Sequence, residues 1–409
     1  MSVRRIGWSE CHEWVVEADR VRHRTGRYFQ VGLLANAREE RLMVWQAEVG
    51  LLGFVVTRDG RWLVQRKREP GNVGGAEVGP TVQATRSNLD RVHGGRPTRH
   101  LDVLIAGPPD VDVLGSEQGD RFVDKHNRDL IRVIEDVAVV GEPSPNHAWM
   151  TTEGLRAALL EDHRVNSDAR SVLACGRWDL LARDGSAFAE DPTGAGQHAA
   201  WRASYLERDP ERTAAAERLL DAVQERRDPS TFAHAVPLSA ARAHRLDAHG
   251  IVDARGRRVL GCFDVELPER EVPTWQQPLL ERQEETEALL LHTVIGGVLH
   301  VNVRAWPELG WTSRVEFGPS WQSGPGKEDV ARPDPTLVEP GAAVRQGDEG
   351  GRFWRNLCTY RLGRWLGDPD ALSEDAVWVT LGELEMLARR TDRVTNELRS
   401  AISVLIASC

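Results

Sequence analysis

Apolar positions along this chain follow two rhythms, strand-like and then helix-like, and the sequence runs through that order twice. Ser9 to about His23 spaces its apolar residues as a helix would, with Ser9 as N-cap. Tyr28 to Leu34 is apolar and reads as a strand. Leu51 to Thr57 and Trp62 to Gln65 flank Arg58-Asp59-Gly60-Arg61, and Asp-Gly between apolar runs predicts a hairpin. Glu69 to Pro80, with four glycines and two prolines, predicts a loop, and Leu101 to Ala106 predicts a further strand. Helical spacing then takes over at Leu155, Ala158 and Leu159, and again around Arg170, Val172 and Leu173. It returns at Leu384, Leu387 and Ala388, then around Arg399, Ala401 and Ile402; Thr380 and Glu383 form a capping-box pair. Between these regions, Asp184 to His198 has linker composition, and Glu211 to Arg227 predicts a helix apolar at Ala214, Leu219, Leu220 and Val223.

The two passes share words as well as rhythm. Trp45-Gln46, Gly79-Pro80-Thr81-Val82-Gln83, Arg121-Phe122 and Trp149-Met150-Thr151 recur in order as Trp275-Gln276, Gly318-Pro319-Ser320-Trp321-Gln322, Arg352-Phe353 and Trp378-Val379-Thr380. The offsets lie between 229 and 239 residues. Two tandem modules follow, residues 1–205 and 206–409, each long enough to bury a core. The predicted fold class is α+β: a mixed sheet with hairpins, flanked by helices, occurring twice.

Composition narrows the function classes. Hydrophobic content of 41% and charged content of 28% are ordinary for a globular chain. A net charge of −10 with scattered basic residues argues against nucleic-acid binding. No apolar run is long enough for a membrane span, and Met1-Ser2-Val3-Arg4-Arg5 does not begin a signal peptide, so a cytoplasmic protein is expected. Five cysteines without a CxxC pair predict reduced thiols, and argue against a disulfide framework and a zinc site. No HExxH, GxSxG, Walker A or GxGxxG motif occurs in a suitable context.

Candidate chemistry concentrates in Gln65 to Asn72 and Pro80 to Asn88. Lys67, Asn72, Gln83, Thr85 and Asn88 offer donors and acceptors able to orient a polar ligand, or else satisfy their own loop. Aligning Leu63 with Val301 sets Lys67 opposite Ala305, and Glu69-Pro70 opposite Pro307-Glu308. A lysine needed by one copy and not the other points to function rather than folding. Arg121 and Arg352 are either buried anchors for Glu117 and Asp348-Glu349 or pyrophosphate clamps. Glu117 is either a general base or a structural carboxylate. His93, His126 and His300 each stand alone and read as structural, and the repeated tryptophans read as core.

With these residues in view, the chain resembles the NDP-hexose 2,3-dehydratases of deoxysugar biosynthesis. The strings are Thr25-Gly26-Arg27-Tyr28-Phe29, Gln65 to Asn72, Pro80 to Asn88, Ser116 to Phe122 with Asn127-Arg128, and Val165-Asn166. Arg270-Glu271-Val272, Trp275-Gln276-Gln277-Pro278 and Glu349 to Phe353 complete them. Departures are Trp45-Gln46-Ala47, Arg66 and Pro319-Ser320-Trp321-Gln322. The resemblance implies tandem Nudix-like modules without the Nudix glutamate helix, a homodimer, and chemistry with no cofactor or metal.

The implied substrate is dTDP-4-keto-6-deoxyglucose. Its C4 ketone acidifies C3–H and its C2 hydroxyl is β to that ketone, so a base and an acid eliminate water; the enol tautomerises to a 3,4-diketo-2,6-dideoxy sugar. That product is prone to expel dTDP, which implies a 3-ketoreductase partner. Lys67 is then expected at the C4 oxyanion and Glu117 as base. Asn72, Gln83, Thr85 and Asn88 would orient sugar or thymine, with Arg121 and Arg352 on the diphosphate. Trp275 or Trp321 would stack on thymine, and Gln276, Gln322 and Glu349 would complete the substrate contacts. Competing readings are a non-catalytic nucleotide-sugar-binding protein and a Nudix-type pyrophosphatase.

Overall fold

The computed structural model describes the chain except residues 1, 93, 182–196, 283, 312, 372 and 409. The expected linker therefore lies largely outside the described residues, as does His93. Two large mixed sheets are built to one plan. In the first copy the strands run Val111–Ser116, His126–Ile134, Gly50–Thr57, Arg61–Arg68, His147–Thr151, with Ala76–Gly79 on Arg61–Arg68 and Val82–Ala84 on Gly50–Thr57. The second copy repeats every pairing with Val338–Gly347, Leu357–Trp365, Thr286–Ile295, Val298–Trp306 and Ala376–Val379, plus Glu316–Pro319 and Trp321–Gln322. The Asp59-Gly60 turn joins its two strands as expected, with Gly60 at φ +80°, a conformation glycine adopts without penalty. Each copy ends in two helices, Thr152–Leu159 with Ser167–Ala174 and Leu381–Ala388 with Asn396–Ala407, and the Thr380–Glu383 capping box is formed. The α+β class is as read.

Each copy also carries a smaller sheet, and here the copies interlock. Ser2–Ile6 pairs with Arg258–Glu266 of the second copy, and His234–Val236 pairs with Gln30–Ala35 of the first. Each copy's first strand therefore completes the other's sheet. Residue 205, the expected boundary, lies inside the helix Gln197–Leu206. That helix caps the second copy: Ser204 Oγ accepts from Leu381 N at 2.7 Å.

Where the copies meet, Arg170 donates to Ser403 Oγ at 2.9 Å and Arg399 to Ser171 Oγ at 2.5 Å, a reciprocal pair across the helices Ser167–Ala174 and Asn396–Ala407. Phe122 and Phe353 meet edge to face at 5.5 Å. The main apolar cluster runs through both copies along those helices. Gly71 and Gly310 approach the other copy so closely that a Cβ on either would overlap the carbonyl of Phe353 or Phe122. Among the described residues no helix is long and apolar enough to cross a membrane.

Four local expectations are corrected. Ser9 to His23 is not a helix but a turn followed by the strands Trp14–Val16 and Arg20–His23, paired antiparallel; Val15, Val16 and Val21 favour strand, and the intervening turn imitates helical spacing. Leu101–Ile105 is a short helix, not a strand, and lays Leu104 over Gly53. Ala76–Gly79 forms a strand inside the expected loop. Cys11 and Cys262 form a disulfide rather than staying reduced, because the exchanged N-terminal strand ends with Ile6 opposite Cys262 and the chain turns back beside it. Cys175 and Cys358 are free and buried.

Candidate functional site

One cavity of about 430 Å³ opens between the copies, large enough for a nucleotide sugar. Its walls come from the first copy's strand Arg61–Arg68, strand Val82–Ala84 and helix Ser167–Ala174, from the hairpin 14–23, and from residues 270–277 and 349–352 of the second copy. The lining falls into two chemistries. Trp14, His23, Tyr28 and Phe29 form a ring cluster with centroids 4.5 to 5.4 Å apart. Lys67, Glu69, Lys125, Asp168 and Glu349 form an ionic cluster. Arg352 joins them: its guanidinium lies 4.3 Å from the Phe29 ring and donates to Gln46 Oε1 at 2.9 Å.

In the ionic cluster, Lys67 donates to the Gln83 carbonyl at 2.8 Å and lies 3.5 Å from Glu69, which Arg270 also pairs at 2.7 Å. Burial, with Arg270 nearby, pulls the Lys67 ammonium below its ordinary range, against the pull of Glu69. Burial pushes Glu69 up, but Arg270 and Lys67 outweigh it and hold the carboxyl below its usual value. Asp168 sits in the first turn of its helix behind the N-cap Asn166, whose amide donates to Gln83 Oε1 at 2.9 Å. A helix N-terminus favours a carboxylate, yet burial and the neighbouring Glu349 and Glu117 win, raising Asp168 well above the ordinary range. The cavity thus brings a carboxyl that holds its proton more tightly than usual beside a second carboxyl and a lysine, the ingredients of acid–base chemistry.

Several expected site residues line this cavity: Lys67, Gln83, Thr85, Asn88, Trp275, Gln276, Glu349 and Arg352. The Gln276 amide is already used by the backbone of residues 10–13, accepting from His12 N at 2.7 Å and donating to Glu10 O at 3.1 Å. Others do not line it. Glu117 is buried behind the wall, accepting from Asn127 at 2.6 Å and from Asn396 at 3.2 Å. Asn72 closes its own turn onto the Gly75 carbonyl at 3.1 Å. Trp321 lies under Arg332, 5.0 Å away, and bonds Val330 O. Arg121 is a buried anchor, 2.8 Å from Asp348, and with Gln322 it belongs to the equivalent place in the other copy.

That equivalent place is shut, with only about 20 Å³ of space. Strand register makes the comparison exact enough to correct the sequence alignment. Lys67 pairs with Glu77 as Trp306 pairs with Glu316, so Lys67 stands opposite Trp306, not Ala305. In the same register Glu69 stands opposite Glu308. Leu63 and Asn302 confirm the shift, since each carbonyl accepts from the equivalent hydroxyl, Thr81 or Ser320. Glu117 N bonds Lys125 O as Asp348 N bonds Asn356 O, and Phe353 N bonds Glu349 O as Phe122 N bonds Gln118 O. At these positions the open cavity has Lys67, Lys125 and Glu349, and the equivalent residues of the other copy are Trp306, Asn356 and Gln118. Lys327 fills the shut site, 2.5 Å from Glu308 and 4.6 Å from the Trp306 ring centre.

The hairpin aromatics, Asp168 and Lys125 were missed by sequence reasoning. The hairpin was hidden by its helix-like spacing. For Lys125 a signal existed: only three of the 52 lysine and arginine residues are lysine. Those three, Lys67, Lys125 and Lys327, are 5%, 4% and 7% exposed and all lie at the two sites.

Fold and site define a duplicated α+β protein in which one of two twinned sites stays open, with aromatic and ionic side chains facing a single cavity. The chain belongs to the NDP-hexose 2,3-dehydratase family, whose model matches residues 1–175 and 216–405. It is 32% identical to a dTDP-4-dehydro-6-deoxy-alpha-D-glucopyranose 2,3-dehydratase of Saccharopolyspora spinosa, over 98% of this chain and 87% of that one. A Streptomyces violaceoruber protein of the same description is 32% identical over 94% and 88%, and one from Amycolatopsis orientalis 28% over 99% and 87%.

Proposed function

We propose that the open cavity eliminates water from dTDP-4-keto-6-deoxyglucose to give dTDP-3,4-diketo-2,6-dideoxyglucose, a hydro-lyase reaction. The observation that carries this reading is a triple difference at equivalent positions: Lys67, Lys125 and Glu349 line the open cavity, and their counterparts in the other copy are Trp306, Asn356 and Gln118. Glu349, a carboxyl unique to the open cavity, is the base for C3–H. Asp168, held protonated by burial and Glu349, gives its proton to the departing C2 hydroxyl. Lys67 faces the C4 oxygen as negative charge develops there. The ring cluster takes thymine and Arg352 the diphosphate, which suits its place between the aromatic and ionic groups. Glu117, first expected as base, is assigned a supporting place behind Glu349.

The division into modules 1–205 and 206–409 is part of this proposal; the twinned pairing orders support two modules, while the helix Gln197–Leu206, which spans the boundary, packs on the second. A homodimer is supported by the family resemblance and is read by sedimentation velocity. Consumption by a 3-ketoreductase follows from the product's chemistry, because its diphosphate is β to the new C3 ketone. The deciding experiment is incubation with dTDP-4-keto-6-deoxyglucose, with and without a ketoreductase and NADPH, followed by mass spectrometry. Loss of one water, and free dTDP when the reductase is omitted, is expected. Unchanged substrate with measurable binding would favour the non-catalytic reading. Lys67→Ala should lower turnover at least about 100-fold while dTDP affinity stays within about threefold.

A further inference from the structure

Lys125 differs from the other ions of the cavity in how it is held. Its Nζ donates to Glu48 O at 2.7 Å, His126 O at 2.8 Å and Asn127 Oδ1 at 2.9 Å. An ammonium has three N–H donors, and all three are taken by neutral oxygens. None is left for a substrate or for a carboxylate. The side chain lines the cavity and is 4% exposed. In a chain that uses arginine for almost every cation, a compact, three-donor ammonium is retained here, and its counterpart in the other copy is the neutral Asn356. A planar guanidinium has a different donor fan and does not fit three converging acceptors.

The nearby charges explain what a fixed ammonium would do. Glu117 and Glu349 act on each other and both act on Lys125. From the helix Ser167–Ala174, Asp168 faces the same pair, and from the strand Arg61–Arg68, Lys67 and Glu69 act on Asp168. Asp129 and, from the helix Asn396–Ala407, Arg399 face Glu117. Glu48 and Arg352 face Lys125, where burial pulls the ammonium below its ordinary range and Glu117 and Glu349 act to keep it charged. Burial pushes Glu117, Asp129 and Asp168 up while Arg270 and Lys67 hold Glu69 down, so a carboxyl here stays an anion only where a cation is held close. Asn127, which accepts from Lys125 at 2.9 Å, donates to Glu117 at 2.6 Å.

We infer that Lys125 is a positioning residue of the proposed dehydration, a fixed positive charge that keeps one anion on the Glu117–Glu349 pair so that Glu349 meets the substrate as a base. This rests on the dehydratase reading. Lys125 touches no reacting atom; it acts through the carboxyl pair.

The test is the pH profile of kcat/KM for the full chain with dTDP-4-keto-6-deoxyglucose. Lys125→Met should move the acid limb to higher pH by about one unit or more, with KM changed less than about threefold. Lys125→Arg, which keeps the charge and disturbs the three acceptors, should lower kcat but leave the limb in place. Glu117→Gln removes the competing carboxyl and should move the limb to lower pH. A limb unmoved in Lys125→Met, or in Glu117→Gln if the Met variant does not fold, overturns the inference and leaves Lys125 a structural cation. If the unaltered chain eliminates no water, the dehydratase reading fails separately. Infrared titration of the buried carboxyl band then carries the test, and a midpoint that does not rise in Lys125→Met overturns the inference.

Discussion

Ser116 donates a 2.5 Å hydrogen bond to Glu316 across the two copies, and the twin of that contact is empty. There Glu77 faces Gly347, whose added Cβ would lie 3.8 Å from the Glu77 carboxyl oxygen. Arg314, the second partner of Glu316 at 2.9 Å, is likewise matched by Gly75. Among the described residues Glu77 Oε1 has no hydrogen-bond partner, although the side chain is buried. Burial pushes this carboxyl up to about 8.

Gly347→Ser should therefore rebuild the missing bond, raising unfolding free energy by about 1 kcal/mol. The pH dependence has a definite sign. A carboxyl whose folded pKa is raised from about 4.5 to about 8 binds a proton in the folded state that the unfolded chain releases. Its contribution is full below the lower value and is lost as pH rises to the upper one. Urea midpoints of the unaltered chain should fall over that window, and Glu77→Gln should flatten the fall. Parallel slopes in the two proteins would mean that Glu77 does not titrate as described.

Asp168→Asn tests the acid. The amide keeps size and polarity but cannot supply the proton, so kcat should fall by about 10² to 10⁴-fold with dTDP binding retained. In the unaltered chain the same proton must stay on as pH rises, and burial with Glu349 and Glu117 raises its loss well above the ordinary aspartate range. Activity should accordingly persist through neutral pH and decline on the alkaline side. A profile declining from pH 5 upward would remove Asp168 from this role.

Much of the architecture was legible because its signals are local. Asp59-Gly60, the Thr380–Glu383 pair and the paired helices depend on residues within a turn or two of one another. The exchange of Ser2–Ile6 with His234–Val236 was not legible, because nothing in five residues names a partner more than 200 positions away. Lys67 could be found by comparing copies, although the extra residue shifting Leu63 against Asn302 placed it one position off. Asp168 could not, since its neighbours Arg170, Val172 and Leu173 mark its helix as core. Glu117, left open by the sequence between general base and structural carboxylate, could not be placed until Asn127 and Asn396 were seen to cover it.

The disulfide ties the exchanged N-terminal segment to the strand beside the cavity. Three residues beyond Cys11, Trp14 Nε1 donates to Gln276 O at 2.6 Å, and Glu13 accepts from Gln276 N at 2.8 Å. Non-reducing peptide mapping should recover the Cys11–Cys262 link. Reduction, or Cys11→Ser, should lower stability by about 2–4 kcal/mol and weaken dTDP binding by loosening the Trp14 wall. A reductant that acts equally on the Cys11→Ser variant would show that the effect comes from elsewhere.

The twinned sites make a prediction about stoichiometry. Both keep a glutamate just beyond the strand that follows the hairpin turn, Glu69 or Glu308, a glutamine, Gln83 or Gln322, and an arginine, Arg352 or Arg121. Only one has room. In the shut site Lys327 lies against Glu308 and Trp306, and Arg282 pairs with Asp120 at 2.7 Å, leaving about 20 Å³ against about 430 Å³ in the open one. Ligand pockets need about 300 Å³ or more, and displacing these buried ion pairs costs several kcal/mol. Calorimetric titration with dTDP should therefore saturate at one nucleotide per chain, and Lys327→Ala should leave turnover unchanged. A second site at comparable affinity would mean that Lys327 swings out readily, and the asymmetry between the copies would then lie in chemistry alone rather than in access.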